Sequence, residues 1–209
     1  MLVMLSRLFF LFGFLLIIQT TKADSGQLSP TDQETLIGCM TDLVKAYGVD
    51  DVKDYTKYAT AINTLISQGW GTFYGTFCHN EGVFFNCFYG GNLNTDAMDK
   101  FNLMNVLQID FEAAVGYARD FHRANYLCGS GKPDATQAFD CVFKLNVVSS
   151  NCYMSDYNCW TLAKYQDCVS TDIYGKSCGV EGQRLKCNLQ NIDTSTRYSN
   201  CAVFLSGCY

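Results

Sequence analysis

The 209-residue chain has little charge, little proline and few basic residues. Charged residues make up 17% of it and apolar residues 48%, whereas an intrinsically disordered chain has fewer apolar and more charged side chains. Two prolines exclude a collagen-like composition. The net charge is −5 with only 15 Lys and Arg residues, which argues against a nucleic-acid-binding protein. The length suits one folded domain or two small ones.

The chain also lacks the sequence motifs of the common catalytic and metal sites. It contains no Gly-x-Ser-x-Gly, His-Glu-x-x-His or EF-hand sequence. Its two histidines, His79 and His122, have no nucleophilic residue at the sequence spacing of a known catalytic motif. Structural roles are therefore favoured over a role as a catalytic base. A secreted phospholipase A2 is disfavoured as well. The run Phe88-Tyr89-Gly90-Gly91 resembles part of its calcium loop, but paired cysteines followed by a His-Asp dyad are missing.

Residues 1–23 have the pattern of a secretory signal peptide. A basic Arg7 precedes the unbroken apolar run of residues 8–18, and the segment ends at Ala23 with small residues at the peptidase positions. An N-terminal membrane anchor is the alternative, but the run is shorter than the ~20 residues that a spanning helix requires. No later segment is apolar enough to span a bilayer. The sequence therefore predicts a secreted, extracellular protein that begins near Asp24.

Twelve cysteines lie in the predicted mature chain, residues 24–209. An even number of cysteines in an exported chain indicates disulfides. Zinc binding is the alternative, but zinc sites favour Cys pairs separated by ~2–4 residues, and the chain has none. All twelve are expected to form disulfides: Cys39, Cys78, Cys87, Cys128, Cys141, Cys152, Cys159, Cys168, Cys178, Cys187, Cys201 and Cys208.

The cysteines are unevenly distributed along the chain. Three lie in residues 24–127 and nine in residues 128–209. Because both numbers are odd, complete pairing requires at least one disulfide between the two parts. The sequence thus predicts a single cysteine-rich helical domain over 24–209, with a conventionally packed part and a cystine-dense part. The pairing itself stays open.

Helical spacing of apolar residues and capping signals predict the first two helices. The first is expected to begin at the capping box Thr31–Glu34 and to end at Gly48. Cys39 lies on its apolar stripe and should tie this helix to a neighbour. The second helix is expected to be capped by Asp50 or Asp51 and to end at Gly69.

The middle of the chain is rich in aromatic residues. Residues 70–92 show no clean period and are interpreted as a packed loop with a short helical or extended piece around 83–88. Their aromatic side chains are expected to fill the core rather than to form a ligand surface. A long helix capped by Thr95 or Asp96 should follow, break near Asp110 and stop at Cys128.

The C-terminal part is predicted to contain a helix with a capping box at Asp134, then a helix capped by Ser155-Asp156 and running through Cys168. Residues 180–209 are expected to form one short helix followed by loop. Residues nine apart on one helix lie ~13.5 Å apart, beyond the reach of a disulfide. Cys159 and Cys168 must therefore bond to different neighbours. The predicted fold class is all-α, a disulfide-stapled helical bundle with irregular loops.

The spacing Cys159-x8-Cys168-x9-Cys178-Gly179-x-Glu181-x5-Cys187 resembles the C-terminal pattern of a nematode-type family of secreted, cysteine-rich helical proteins of unknown function. Similar domains occur in other invertebrates. The resemblance covers residues 159–187, and the N-terminal half departs from it because it has few cysteines and an aromatic-rich insert. It implies a helical extracellular domain and supplies no catalytic residue, cofactor or ligand.

Three functions remain from the sequence. The favoured one is a secreted, non-enzymatic binding or structural module with an extracellular protein partner, which should have a solid core and an exposed apolar patch. The alternative is a carrier of small apolar ligands, which needs a closed apolar cavity of several hundred Å³ bounded by helices. An enzyme comes third and needs a cleft that holds His79 or His122 beside an acid. No metal, cofactor or nucleic acid is expected.

Overall fold

The computed structural model describes residues 28–145, 152–154, 156 and 158–208. The predicted signal peptide lies outside these residues. Every element in the described ranges is helical and they contain no β-strand, which confirms the predicted all-α class. No helix within the described ranges is both long enough and apolar enough to cross a membrane.

Regular α-helices are joined by short π and 3-10 segments. The α-helices are α1 Pro30–Ala46, α2 Tyr55–Ser67, α3 Trp70–Phe73, α4 His79–Gly90, α5 Lys100–Leu107, α6 Phe111–Cys128, α7 Lys132–Lys144, α8 Cys159–Cys168 and α9 Lys176–Arg197. The π-helices are Tyr74–Cys78 and Val169–Gly175, and the 3-10 helices are Thr95–Met98 and Ser199–Phe204.

The first two helices exist as predicted, but their caps differ. Ser29 caps α1, accepting from the Asp32 amide, so the predicted Thr31 capping box is wrong. Asp54 caps α2, accepting from the Lys57 amide, so capping by Asp50 or Asp51 is wrong too. In both cases several adjacent residues could serve as a cap, and the helix begins where its buried stripe does.

The predicted loop over residues 70–92 is wrong, because this segment is helical from Trp70 to Gly90. Its buried side chains do follow a helical period of three and four residues, with Glu81 among them and one wider π turn before it. A charged residue at the centre of the stripe hid the period. Core filling by the aromatic residues is confirmed. The buried stripe consists of Phe73, Phe77, Glu81, Phe84 and Phe88.

The predicted long helix that follows is divided in two, and the break near Asp110 is confirmed. Gln108 takes a left-handed conformation with φ of 53° after α5, and Asp110 caps α6 by accepting from the Ala113 amide. The predicted caps Thr95 and Asp96 lie instead in the preceding 3-10 helix.

The C-terminal part differs from the prediction in three respects. Helix α7 begins before Asp134, whose carboxylate binds Arg184 instead of capping. Asn158 caps α8 in place of Ser155-Asp156. Residues 180–197 belong to the long helix α9, which has a kink at Gly179 with φ of 74°. Few apolar residues mark α9, so its burial against α7 was not visible in the sequence.

Six disulfides hold the helices together, and all twelve predicted cysteines take part. Cys39 ties α1 to α4, as expected, and Cys159 and Cys168 bond to different partners. The pairs are Cys39–Cys87, Cys78–Cys128, Cys141–Cys178, Cys152–Cys168, Cys159–Cys201 and Cys187–Cys208. Of these, Cys78–Cys128 crosses between residues 24–127 and 128–209, as the odd cysteine numbers require.

Candidate functional site

The cysteines offer no reactive thiol in the part of the chain that the structure describes. All of them are disulfide-bonded, and a thiolate is the form of cysteine that attacks a substrate or binds a metal. Among the described residues, the one group of possible metal ligands close enough together to hold an ion is Cys152, Cys168 and Asp172. Its two sulfurs are bonded to each other, so it has the chemistry of a disulfide beside a carboxylate.

The aromatic residues of α3 and α4 pack against one another and against α6 and α7. Phe73 lies 4.5 Å from Phe77 and 4.7 Å from Phe139, measured between ring centroids. A space of about 20 Å³ remains beside Phe73 and Phe77, enough for about one water molecule. This region of the core therefore leaves no room for a drug-sized ligand.

The two histidines lie in different environments. His79 is exposed at the start of α4. His122 is half-buried on α6, where burial lowers its pKa, so its imidazole is neutral near neutral pH.

A polar cleft of about 220 Å³ brings His122 together with an acid, Asp99, and with Ser195. These groups are engaged elsewhere. The Asp99 carboxylate accepts from the Phe101 amide at 2.9 Å, and the Ser195 hydroxyl donates to the Ile192 carbonyl at 3.1 Å. Among the described residues no hydrogen bond links His122 to either group, so the cleft contains a histidine and an acid but no hydrogen-bonded nucleophile–base pair.

A buried acid lies among tyrosines at the centre of the core. Glu81 accepts hydrogen bonds from the hydroxyls of Tyr58 at 3.2 Å and Tyr47 at 3.5 Å. Burial, with a smaller contribution from the nearby Asp120, raises the Glu81 pKa to about 8, although the hydrogen bonds from the two tyrosine hydroxyls lower it. No described cation lies within 4 Å of it. Glu81 is therefore held as a neutral carboxylic acid at neutral pH, without access to a cleft.

An apolar space lies where α8 packs against the last 3-10 helix. It is a groove of about 480 Å³, open to solvent on one side. The Cys159–Cys201 disulfide joins its two walls. We call this space the α8 groove; its lining consists of Met154, Asn158, Cys159, Leu162, Tyr198, Asn200 and Cys201.

Large apolar side chains flank the α8 groove in the sequence and are exposed to solvent. Tyr153 is 81% exposed and Val203 is 85% exposed, next to lining residues or one turn beyond them. Side chains of this size are costly to leave in water, and exposed apolar residues that neighbour lining residues in the chain favour a binding surface in this part of the molecule. These exposed residues are Tyr153, Trp160, Tyr198, Val203 and Phe204.

Asn158 gives the groove a directed polar group. Its side-chain oxygen accepts hydrogen bonds from the backbone amides of Trp160 at 3.1 Å and Thr161 at 3.0 Å. In return, the backbone N–H of Asn158 donates to the Thr161 hydroxyl at 3.4 Å. This capping box begins α8 and fixes the carboxamide. Because the oxygen points to the helix, the amino group Nδ2 points away from it.

Comparison of the chain with known protein families, with curated proteins and with solved structures finds no match. The resemblance of residues 159–187 to a nematode-type secreted family therefore stays a prediction. The groove must be interpreted from its own chemistry.

Sequence reasoning missed the α8 groove because its walls come from segments far apart in the chain. Leu162 and Tyr198 meet only because Cys159 bonds to Cys201, 42 residues later, and the pairing was open. One signal was present: Tyr198, Val203, Phe204 and Leu205 lie close together in residues 198–205.

Proposed function

We propose that this chain is a secreted, non-enzymatic binding module that holds a small apolar ligand in the α8 groove. The observation that carries the proposal is the groove itself. Its volume of about 480 Å³ falls within the ~300–1,000 Å³ of small-molecule sites. Its walls are Met154, Leu162, Tyr198 and a disulfide, with two carboxamides as polar groups.

Secretion is part of the proposal and is supported by the chemistry of the chain. Six disulfides persist in an oxidising compartment and are rare in the cytosol. One of them forms a wall of the groove, so the proposed site depends on that compartment. A non-enzymatic role is supported by the absence of a free thiol and of a Ser–His or His–Asp hydrogen bond among the described residues.

An extracellular protein partner is the second candidate. The exposed aromatic residues around the groove, Trp160 and Phe204 among them, favour it, because aromatic anchors are enriched at the centres of protein interfaces. Such a partner would insert one apolar side chain into the groove. Its binding would depend more on the exposed residues Trp160 and Phe204 than on the groove residue Leu162. Substitutions at these positions therefore distinguish a protein partner from a small ligand.

The experiment is a titration of the secreted protein with the neutral fluorescent dye phenylnaphthylamine. We expect saturable binding by the natural chain and its loss in Leu162→Arg, since the guanidinium would occupy the groove. Val83→Arg is the control, because Val83 is an apolar helix residue on α4, outside the groove. Val83 is 57% exposed and Leu162 is partly buried, so the helicity of both variants is compared as well. Met154→Arg repeats the test from the opposite wall if Leu162→Arg fails to fold.

Two results would overturn the proposal. One is the absence of saturable dye binding by the natural chain. The other is equal loss of binding in Leu162→Arg and Val83→Arg with helicity retained in both, which would place the dye elsewhere. Loss of binding confined to the groove variants supports it.

A further inference from the structure

We infer that the α8 groove selects an uncharged ligand, an apolar body with a carbonyl or hydroxyl oxygen, and that the Asn158 Nδ2 group donates a hydrogen bond to this oxygen. The inference rests on the proposed function, because it assigns the ligand class of the same groove. Three observations carry it. The orientation of the Asn158 carboxamide is fixed, the Asn200 carboxamide has no hydrogen bond among the described residues, and the described lining of the groove contains no charged residue.

The orientation of Asn158 is set by the helix that it caps. Its oxygen is committed to two amides of the first turn of α8, at 3.1 and 3.0 Å. Rotating the carboxamide would place Nδ2 against these N–H groups, donor against donor, and would leave both amides unsatisfied. Nδ2 has no acceptor among the described residues. A capping asparagine that lines a groove thus offers a donor, and only a donor, to a ligand.

Asn200 adds a second polar group from the other side of the groove. It precedes Cys201, which is bonded to Cys159 next to Asn158, so both carboxamides flank the same disulfide. Asn200 makes no side-chain hydrogen bond with any described residue. Its carboxamide can therefore donate or accept, as a hydroxyl on the ligand requires.

The lining carries no acid and no base among the described residues. Two cations lie near lining residues in the sequence, and neither lines the groove. Arg197, next to Tyr198, is paired with Glu112, to whose carboxylate it donates at 2.9 Å. Lys164 lies over the Trp160 ring, with Nζ 3.4 Å from the ring centroid. A carboxylate placed against these walls would lose hydration without gaining a counter-charge, which is costly. A neutral oxygen loses less hydration and is satisfied by one or two amide donors.

The test compares ligands with the same alkyl body and different head groups. Decanol and decanamide are neutral, and decanoate is ionised near neutral pH. We expect the two neutral compounds to displace phenylnaphthylamine at concentrations about tenfold below that of decanoate. The neutral head group accepts a hydrogen bond and no carboxylate has to be desolvated, and these two effects together reach about 1.4 kcal/mol.

Asn158→Asp removes the proposed hydrogen-bond donor to the ligand but keeps the helix cap. Aspartate caps a helix as well as asparagine does, so thermal stability should be kept, but its second oxygen cannot donate. We expect the affinity for decanol and decanamide to fall about tenfold. Asn158→Ser keeps a cap without adding charge and is too short to reach the ligand, so it should show the same loss. It also replaces Asn158→Asp if that variant fails to fold.

The outcomes distinguish this inference from the proposed function. If the natural chain binds no dye, the proposed function fails. If the dye binds in the groove but decanoate competes as well as decanol, or both Asn158 variants keep the affinity of the natural chain for decanol, the head-group inference is wrong and the apolar groove stands.

Discussion

The hydroxyl of Tyr58 donates a hydrogen bond to Glu81 at 3.2 Å in the middle of the core, where each residue is 1% exposed. Their helices, α2 and α4, meet at this contact. Tyr47 closes the cluster from the end of α1, its ring 5.2 Å from that of Tyr58. An acid that retains its proton at neutral pH thus links three helices without an ion pair among the described residues.

This arrangement predicts that stability falls as the pH rises. The Glu81 pKa is about 8 in the folded chain and near 4.5 in the unfolded chain. Between these values the folded chain binds more protons, so the free energy of unfolding decreases with pH, by roughly 5 kcal/mol over the whole window. The contribution is complete below pH 4.5. Urea denaturation at a series of pH values measures it.

Glu81→Gln is the control for this prediction. It keeps an acceptor for the tyrosine hydroxyls and removes the titration of residue 81, so the fall in stability over this window should disappear. His122 contributes with the opposite sign, because its pKa is lowered in the folded chain, but it does so in both proteins. Equal pH slopes in the natural chain and in Glu81→Gln would contradict the assignment.

Lys100 is expected to hold the end of α9 onto the start of α5. It is 5% exposed, and its ammonium donates to the carbonyls of Thr196 at 2.7 Å and Arg197 at 3.1 Å. Lys100→Met should lower the free energy of unfolding by about 1–3 kcal/mol, because it leaves these carbonyls without their donor. Lys57→Met, at an exposed pair with Asp54, should change it much less, because water screens an exposed ion pair. Similar effects of both substitutions would contradict the role of Lys100.

Two glycine-to-alanine substitutions should change the stability of the protein in opposite directions. A methyl group at Gly116 on α6 would overlap the ring of Tyr55, whereas Gly38 on α1 has nothing near its side-chain direction. Gly116→Ala should destabilise the protein by about 1–3 kcal/mol through overpacking. Gly38→Ala should stabilise it by about 0.5–1 kcal/mol, because alanine favours helix. Thermal denaturation compares them, and a stabilising Gly116→Ala would show that α2 and α6 do not pack this closely.

The disulfide pairing gives a covalent prediction. Mass spectrometry of peptides from the non-reduced secreted protein should find a chain that begins near Asp24, six disulfides, and Cys78–Cys128 as the pair between the two parts. A second pair that crosses between these parts, or two or more free thiols, would contradict the framework.

Much of the fold could be predicted because it depends on local signals and on counting. The odd cysteine numbers required a cross-link, and Gly48 and Gly69, with φ of 75° and 91°, end the first two helices where expected. Cap positions were missed because neighbouring polar residues compete for the same role. The helix over residues 70–90 was missed because Glu81 interrupts an apolar stripe, and only the partners Tyr47 and Tyr58 explain its burial.

The candidate site could not be predicted from the sequence. Its walls come from α8 and from residues 198–201, and long-range pairing decides that they meet. Asn158 was not predicted as a helix cap, since Ser155-Asp156 was expected in that role, and its position at the groove depends on the long-range packing. The aromatic-rich segment, by contrast, attracts attention as a ligand surface and is packed into the core.

The most direct test of the central claim is to locate a bound apolar ligand. The secreted protein would be irradiated with a decanol analogue that carries a photoreactive diazirine on its alkyl chain, and the labelled peptides would be mapped by mass spectrometry. We predict labels on residues 152–168 and 198–204, displaced by excess decanol and absent in Leu162→Arg. Labels concentrated on residues 70–90, or spread over the surface and insensitive to decanol, would contradict the α8 groove as the binding site.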